Sequence, residues 1–150
     1  MITNFKEYYK LVEYFSLYTK KKIGLTMGVN NLVRIFDPKY YTHLSGGILE
    51  AFGKLFFKNM RIYLYPMLNE KDEIINSDNL KVHPRMKELY KFLKFNGKVV
   101  DLNNYNLKSL KIYSHEVLNQ IKENSKGWET LLPREVAAKI KKFNLFGYNK

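Results

Sequence analysis

The amino-acid sequence predicts a layered α/β domain built on a parallel sheet. Three short apolar or alternating runs, at 23–27, 61–65 and 98–102, have the length of strands. Longer segments with apolar residues at helical spacing separate these runs, and parallel strands need such crossover helices. After the third run the spacing is helical, so the C-terminal end is predicted to be helical.

Composition narrows the class of protein. The chain has 150 residues, of which 45% are hydrophobic, and we predict a single domain over 1–150. Cysteine is absent from the sequence, which excludes disulfides, thiolate metal sites and thiol nucleophiles and favours an intracellular compartment. No run approaches the roughly 20 apolar residues of a membrane span, and the start lacks the apolar run of a secretory signal. We expect a soluble protein of the cytoplasm or of an organelle matrix.

The helices are predicted from their spacing and their start signals. The second helix follows Gly28, where Asn30 or Asn31 can serve as the cap. Residues 67–82 are the most polar stretch and are predicted to form a surface loop. Apolar residues at helical spacing predict the first helix at Phe5, Tyr8, Val12 and Phe15. Later helices are predicted to begin near Pro38, Ile48, Pro84, Ser114 and Pro133.

The junction between the first strand and the next helix is the first candidate site. In open parallel sheets, ligands bind at the carboxyl ends of strands, where the free N–H groups of a helix N-terminus favour anions. Gly28 lies at this junction and would let a ring or a phosphate approach the backbone. Asn30 could hydrogen-bond a sugar hydroxyl or a base edge. A plain glycine turn with an asparagine cap is the alternative.

The order of these pieces resembles the nicotinate or nicotinamide mononucleotide adenylyltransferases. This chain has Thr3 at a helix start, a strand leading to Gly-x-Asn-x-Leu at 28–32, a helix with Tyr40-Tyr41, and a strand ending Tyr65-Pro66. The family has a Ser-Tyr-Thr helix start, a strand leading to Gly-x-Asp-x-Leu, a Trp-containing helix, and a strand ending Arg-Pro. The likeness covers nearly the whole chain but only the later part of the family's fold. It implies a Rossmann-like parallel sheet with flanking helices, incomplete because the first strand–helix unit is missing.

The tail is similar to the closing signature of the same family. That signature runs Ile-Ser-Ser-Thr-x-Ile-Arg, then a helix, then a Leu-x-Pro-x-x-Val helix that ends Leu-Tyr. Here the corresponding segments are 112–118, 132–136 and 145–146. Ser114 is predicted at a helix N-terminus, where it could receive a phosphate or serve only as a cap. His115 could contact the phosphate or be a surface histidine.

The resemblance implies transfer of an adenylyl group from ATP to a pyridine mononucleotide, as in NAD biosynthesis, by positioning and by stabilisation of phosphate charge. The family binds the triphosphate with a His-x-Gly-His motif, and the three histidines of this chain are not so spaced. Asn30 stands in place of the family's Asp, and Leu118 in place of its phosphate-binding Arg. Gly28, Asn30, Ser114 and His115 therefore remain as degenerate nucleotide-binding candidates for ATP or a pyridine mononucleotide. We assign no catalytic residue and no metal ligand.

The net charge is compatible with several classes of binding partner. The chain carries 26 Lys and Arg against 14 Asp and Glu, a net charge of +12 that attracts RNA, anionic lipid, nucleotides or an acidic protein surface. The basic residues are spread along every predicted helix, and no RNA-recognition signature accompanies them. We expect a non-catalytic structural or accessory subunit of a larger intracellular assembly, with protein partner chains. The alternatives are the C-terminal portion of a working adenylyltransferase completed by another chain, and a basic component of a ribonucleoprotein.

Overall fold

The chain divides into two compact units, each with a hydrophobic core of its own. The computed structural model describes residues 5–57 and 60–149, so Thr3 lies outside the described residues. The N-terminal unit spans Met1–Tyr105 and the C-terminal unit spans Asn106–Lys150. The single domain predicted for 1–150 stays a prediction. Within the described ranges, no helix is both long and apolar enough to span a membrane.

The N-terminal unit combines helices and strands in alternation. Its helices are α1 (Tyr8–Tyr18), α2 (Val29–Ile35), α3 (Gly47–Leu55) and α4 (Lys87–Phe95). Its strands are β1 (Gly24–Gly28), β2 (Arg61–Tyr65), β3 (Met67–Leu68), β4 (Ile74–Ile75) and β5 (Val99–Asp101). Short 3-10 turns precede α3 at Pro38–Tyr41 and α4 at Pro84–Met86.

A small parallel sheet forms the centre of this unit. Its strands lie in the order β1-β2-β5, and both neighbouring pairs are parallel. The predicted mixed α/β class is therefore confirmed, and the three predicted strands each lie within two residues of the observed ones. Ile62 and Leu64 of the central strand are fully buried under the helices, whereas the alternate residues Arg61, Tyr63 and Tyr65 lie on the other face. This period-two pattern is what a strand covered on one face produces.

The segment predicted as a polar loop at 67–82 is more ordered than a loop. Strands β3 and β4 pair as an antiparallel hairpin. After the hairpin, the Ser77 backbone N–H and hydroxyl both donate to the Asp101 carboxylate, at 2.9 and 2.6 Å, and the Tyr90 hydroxyl donates to the Ser77 carbonyl at 2.6 Å. The segment therefore closes against β5 and α4, although its polar composition is typical of a loop.

The C-terminal unit is helical, as predicted. It contains α5 (Ser114–Lys122) and α6 (Arg134–Phe143), with 3-10 turns at Leu107–Lys111, Trp128–Leu131 and Leu145–Gly147. Trp128 is 1% exposed and packs edge-on against Tyr148, with ring centroids 5.8 Å apart. Val117, Ile121 and Ile140 complete this core. Trp128 anchors the packing of the two helices.

Three helix starts differ from their predictions. Helix α1 begins at Tyr8, so Phe5, which was predicted within it, lies before it. The N-cap of α2 is Gly28 rather than Asn30 or Asn31, and the N-cap of α5 is Tyr113 rather than Ser114. Neither cap residue supplies a side-chain hydrogen bond to the helix. Asn30, Asn31 and Ser114 therefore lie inside the first turn, because the chain enters α2 and α5 one to three residues earlier than the capping preference indicates.

Candidate functional site

A cavity of about 440 Å³ opens beside α2 in the N-terminal unit. Its volume falls within the roughly 300–1,000 Å³ typical of small-molecule sites. Three segments form its walls: the start of α1, one face of α2, and the 3-10 turn after it. The lining residues are Lys6, Glu7, Tyr8, Asn31, Arg34, Ile35, Tyr40 and Tyr41.

Helical periodicity explains why α2 presents polar groups to this cavity. Val29, Leu32 and Ile35 are buried in the core, so α2 has its apolar stripe on the sheet side. Asn31 and Arg34 are three residues apart and therefore lie on a common face, away from that stripe. Both side chains are exposed. A short helix fixed by its apolar stripe thus holds an amide and a guanidinium at the cavity wall.

Arg34 and Tyr40 form the polar centre of the cavity. The hydrogen bond from the Arg34 guanidinium holds the pKa of the Tyr40 phenol below its usual value. The Arg34 guanidinium carbon lies 6.0 Å from the Tyr40 ring centroid, and the Lys39 ammonium lies 5.0 Å from it on a cation–π contact. Lys39 is itself paired with Asp37, at 2.7 Å. The tyrosine ring is therefore set among cationic groups.

The remaining walls are less polar. Burial raises the pKa of Tyr8 and raises the pKa of Tyr41 to about 12, so both phenols stay neutral at physiological pH. The Glu7 carboxylate is paired with Lys10 at 3.0 Å, and that hydrogen bond lowers the pKa of Glu7. Arg34 and Lys6 outnumber Glu7 among the charged lining residues. The cavity therefore favours an anion beside aromatic rings.

The two candidate residues predicted at this junction, Gly28 and Asn30, are not among the residues that line the cavity. Gly28 has an ordinary extended backbone, φ −79°, and a Cβ atom there would meet nothing within 4 Å. The space beside it is open, as close approach of a ligand requires, although the backbone does not demand glycine. Asn30 is exposed one position before Asn31, which does line the cavity.

The other two candidate residues, Ser114 and His115, lie in the C-terminal unit at the first turn of α5. Both are exposed and line an open groove of about 540 Å³. The remaining lining residues are all apolar: Ile112, Val117, Leu118, Ile121, Leu132, Val136, Ile140 and Phe146. Glu116 adds a carboxylate to the same turn, which already complements the helix dipole. The groove therefore has fewer groups that could bind an anion than the cavity beside α2 has.

The three histidines lie in separate environments. His43 Nε2 is hydrogen-bonded to the Tyr9 hydroxyl at 3.2 Å. His83 Nδ1 accepts from the Arg85 backbone N–H at 3.3 Å, which caps a 3-10 turn. The His115 ring lies 5.9 Å from that of Tyr113. Among residues 5–57 and 60–149, no cluster of three or more His, Asp or Glu side chains could hold a metal ion.

The described residues that line the cavity include groups that can bind a ligand and few that could transfer a proton. Arg34 and Lys6 can neutralise a phosphate, and Asn31 can donate to or accept from a sugar or base. The tyrosine rings supply apolar and stacking surface. Among the described lining residues there is no histidine, and the one carboxylate is held by Lys10.

Comparison with protein families, with characterised proteins and with solved structures found no match to this chain. The resemblance to mononucleotide adenylyltransferases therefore stands on the motif residues alone.

Proposed function

We propose that this chain is an adenylyltransferase-like domain without catalytic activity of its own, which binds a nucleotide and serves as an accessory or structural subunit of a larger intracellular assembly. One observation carries the proposal: among the described residues, the cavity beside α2 offers cations, an amide and aromatic rings but no histidine. Such a lining can hold a nucleotide, because the cations suit its phosphate and the amide and rings suit its ribose and base. We infer no catalysis by this chain alone because the His-x-Gly-His motif with which the family binds the triphosphate is missing from the sequence.

The fold supports the same proposal. In a Rossmann-like domain, ligands bind where a strand of the parallel sheet passes directly into a helix. Here β1 ends at Gly28 and α2 begins at Val29 with no intervening loop. The cavity lies on α2, and in the order of sequence motifs Tyr40-Tyr41 corresponds to the tryptophan-containing helix of the adenylyltransferases that the sequence resembles.

The favoured ligands are ATP and a pyridine mononucleotide. Each has an aromatic ring, a ribose and at least one phosphate. Arg34 and Lys6 are suited to the phosphate, Asn31 to a ribose hydroxyl or the ring edge, and the exposed ring of Tyr40 to stacking. A ligand of this kind would use all three types of group in the cavity wall.

Calorimetric titration of the full chain with ATP, AMP and nicotinamide mononucleotide tests this function, together with an assay for pyrophosphate release. We expect heat of binding for at least one of these ligands and no pyrophosphate. Absence of binding to all three would remove the nucleotide-binding proposal. Pyrophosphate release that depends on chains co-purified from the source would instead identify the chain as one part of a working adenylyltransferase.

The subunit role has its own experiment. We expect the chain to co-purify from its source with protein partners after nuclease treatment. Loss of those partners on nuclease treatment would favour the ribonucleoprotein role, for which charge is the supporting observation. Recovery as a lone chain of 17.9 kDa would contradict the subunit role.

A further inference from the structure

In the part of the chain that the structure describes, the outer edge of strand β1 has no strand paired with it. The Arg61 backbone N–H donates to the Ile23 carbonyl at 3.0 Å. Because backbone groups alternate sides along a strand, residues 23, 25 and 27 point toward β2, and Gly24, Thr26 and Gly28 point outward. Among the described residues, no other strand pairs with this outer edge. Gly24 and Thr26 are also exposed.

Among residues 5–57 and 60–149, the opposite edge of the sheet has protecting features that the β1 edge lacks. Strand β5 has three residues and ends in Asp101, whose carboxylate accepts two hydrogen bonds from Ser77 and so holds that segment beside the strand. A short strand, a charge and a covering segment are the usual means of blocking an edge. Strand β1 has five residues, none of them charged and none proline. An edge of this kind is a template for another strand.

The sequence of β1 is nearly a palindrome. It runs Gly24-Leu25-Thr26-Met27-Gly28, with Thr26 at its centre. Two antiparallel copies related by a two-fold axis at Thr26 would set Gly24 opposite Gly28, Leu25 opposite Met27, and Thr26 opposite Thr26. The outward-pointing residues 24, 26 and 28 would then face one another as hydrogen-bonded pairs. Side chains that face each other across the axis would be small or apolar in every pair.

We propose that the free edge of β1 binds the β1 edge of a second copy of this chain, in antiparallel register centred on Thr26. The Thr26 N–H of each copy donates to the carbonyl of the partner's Thr26, and Gly24 and Gly28 extend the ladder on both sides. The two three-stranded sheets become one six-stranded sheet. This interaction goes beyond the proposed function, because the nucleotide cavity takes no part in it.

Charge sets the salt dependence of this pairing. Each copy has a net charge of +12, so the copies repel at low ionic strength. The nearest lysines in sequence, Lys20 to Lys22, lie four or more residues from the axis, roughly 13 Å at strand spacing. Physiological salt largely screens exposed charges that are more than about 8 Å apart. Self-association should therefore strengthen as salt is added. Binding of an anionic partner would weaken instead.

Sedimentation equilibrium of the full chain over a range of protein and salt concentrations measures this association. We expect the mass to rise toward twice 17.9 kDa as the protein concentration increases. At higher salt, this rise should occur at a lower protein concentration. A mass that stays at 17.9 kDa under all of these conditions would overturn the proposal. So would self-association that weakens steadily with salt.

Charged substitutions at Thr26 locate the contact. Because the axis sets each copy of the residue opposite itself, Thr26→Lys and Thr26→Glu both create a like-charge pair, and we expect each to weaken the dimer about five-fold or more. The matched controls are Thr42→Lys and Thr42→Glu, at an exposed threonine outside β1, with no expected effect on the dimer. If Thr26→Lys weakens association and Thr26→Glu strengthens it, the edge binds something other than itself.

Amide exchange gives a second readout that does not depend on any variant. The Leu25 and Met27 amides face β2 and are protected in one copy alone, whereas the Thr26 amide faces outward. We expect the Thr26 amide to become protected as the protein concentration rises, with the Leu25 and Met27 amides unchanged. Fast exchange of Thr26 in the associated form would place the contact elsewhere and overturn the proposal.

Discussion

The cavity of the N-terminal unit and the groove of the C-terminal unit have similar volumes and different chemistry. The cavity is lined by Arg34, Lys6, Asn31 and tyrosines, with a core residue, Ile35, as part of its wall. Among the described residues, the groove is lined by aliphatic side chains and Phe146, with Ser114 and His115 as its polar groups. Both regions carry sequence motifs that resemble one family of nucleotide sites. Of the two, only the cavity has the cations that a phosphate needs, so a sequence motif that resembles a nucleotide site does not by itself indicate phosphate binding.

The largest expected contrast is in stability, between a buried residue of the cavity wall and an exposed residue of the groove wall. Ile35 is 3% exposed and Val136 is 42% exposed. We expect Ile35→Ala to lower the free energy of unfolding by about 2–4 kcal/mol, and Val136→Ala by under about 1 kcal/mol. Urea unfolding of both variants measures the difference. Equal small losses would mean that the cavity wall is not fixed by the core.

The next contrast is in affinity for an anion. We expect Arg34→Gln to weaken nucleotide binding about ten-fold, because the guanidinium supplies a charge-assisted contact to phosphate. Lys139→Gln is the matched control: it removes the same charge from an exposed position on α6 and should leave the affinity within about two-fold. Calorimetric titration of both variants decides the matter. Equal weakening would assign the binding to net charge rather than to the cavity.

The ionisation of Tyr41 at alkaline pH tests whether this part of the cavity wall is buried. The pKa of Tyr41 is raised from 10.0 to about 12 by burial, so between these values the unfolded chain loses the phenol proton and the folded chain keeps it. The contribution of the neutral phenol to the free energy of unfolding is therefore complete below pH 10 and is lost as the pH rises toward 12. The slope of the free energy against pH corresponds to at most about one proton. Unfolding free energies measured from pH 9 to 11 should fall less steeply for Tyr41→Phe. Identical slopes would show that Tyr41 ionises freely in the folded state.

The smallest expected effect concerns the start of α5. Glu116→Gln removes the acidic group of the first turn and should cost about 0.3–1 kcal/mol through the helix dipole. If the groove were a phosphate site, losing this carboxylate would also strengthen phosphate binding there. We expect chemical-shift titration with inorganic phosphate to leave Ser114 and His115 unmoved in both proteins. Movement of both signals in the variant would make the groove an anion site after all.

The strands were predictable because their signal is local. Alternation over 61–65 and the short apolar run ending at Gly28 are sufficient to place β2 and β1, and the helical segments between them require parallel pairing. The hairpin of β3 and β4 was missed, since Glu70, Asp72 and Glu73 give its turn the composition of a plain loop. Its order comes from contacts distant in sequence, such as that between Ser77 and Asp101.

The candidate site stays a prediction. A strand does pass into a helix at Gly28, as predicted, but Asn31 rather than Asn30 lines the cavity, because α2 begins at Val29 and the helix phase depends on that start. The spacing of Asn31 and Arg34 opposite the apolar stripe was a usable signal in the sequence. Lys6 could not be found this way. It reaches the cavity through the tertiary position of α1, which no local pattern encodes.

Burial of Trp128 has a practical consequence for spectroscopy. It is the single tryptophan of the chain, and it lies in the core of the C-terminal unit with its ring shielded from water. Its fluorescence therefore reports on that unit alone, and its emission should move to longer wavelength when water reaches the indole. Unfolding followed by this emission and by far-ultraviolet circular dichroism would show, without any label, whether the helical end of the chain melts together with the sheet.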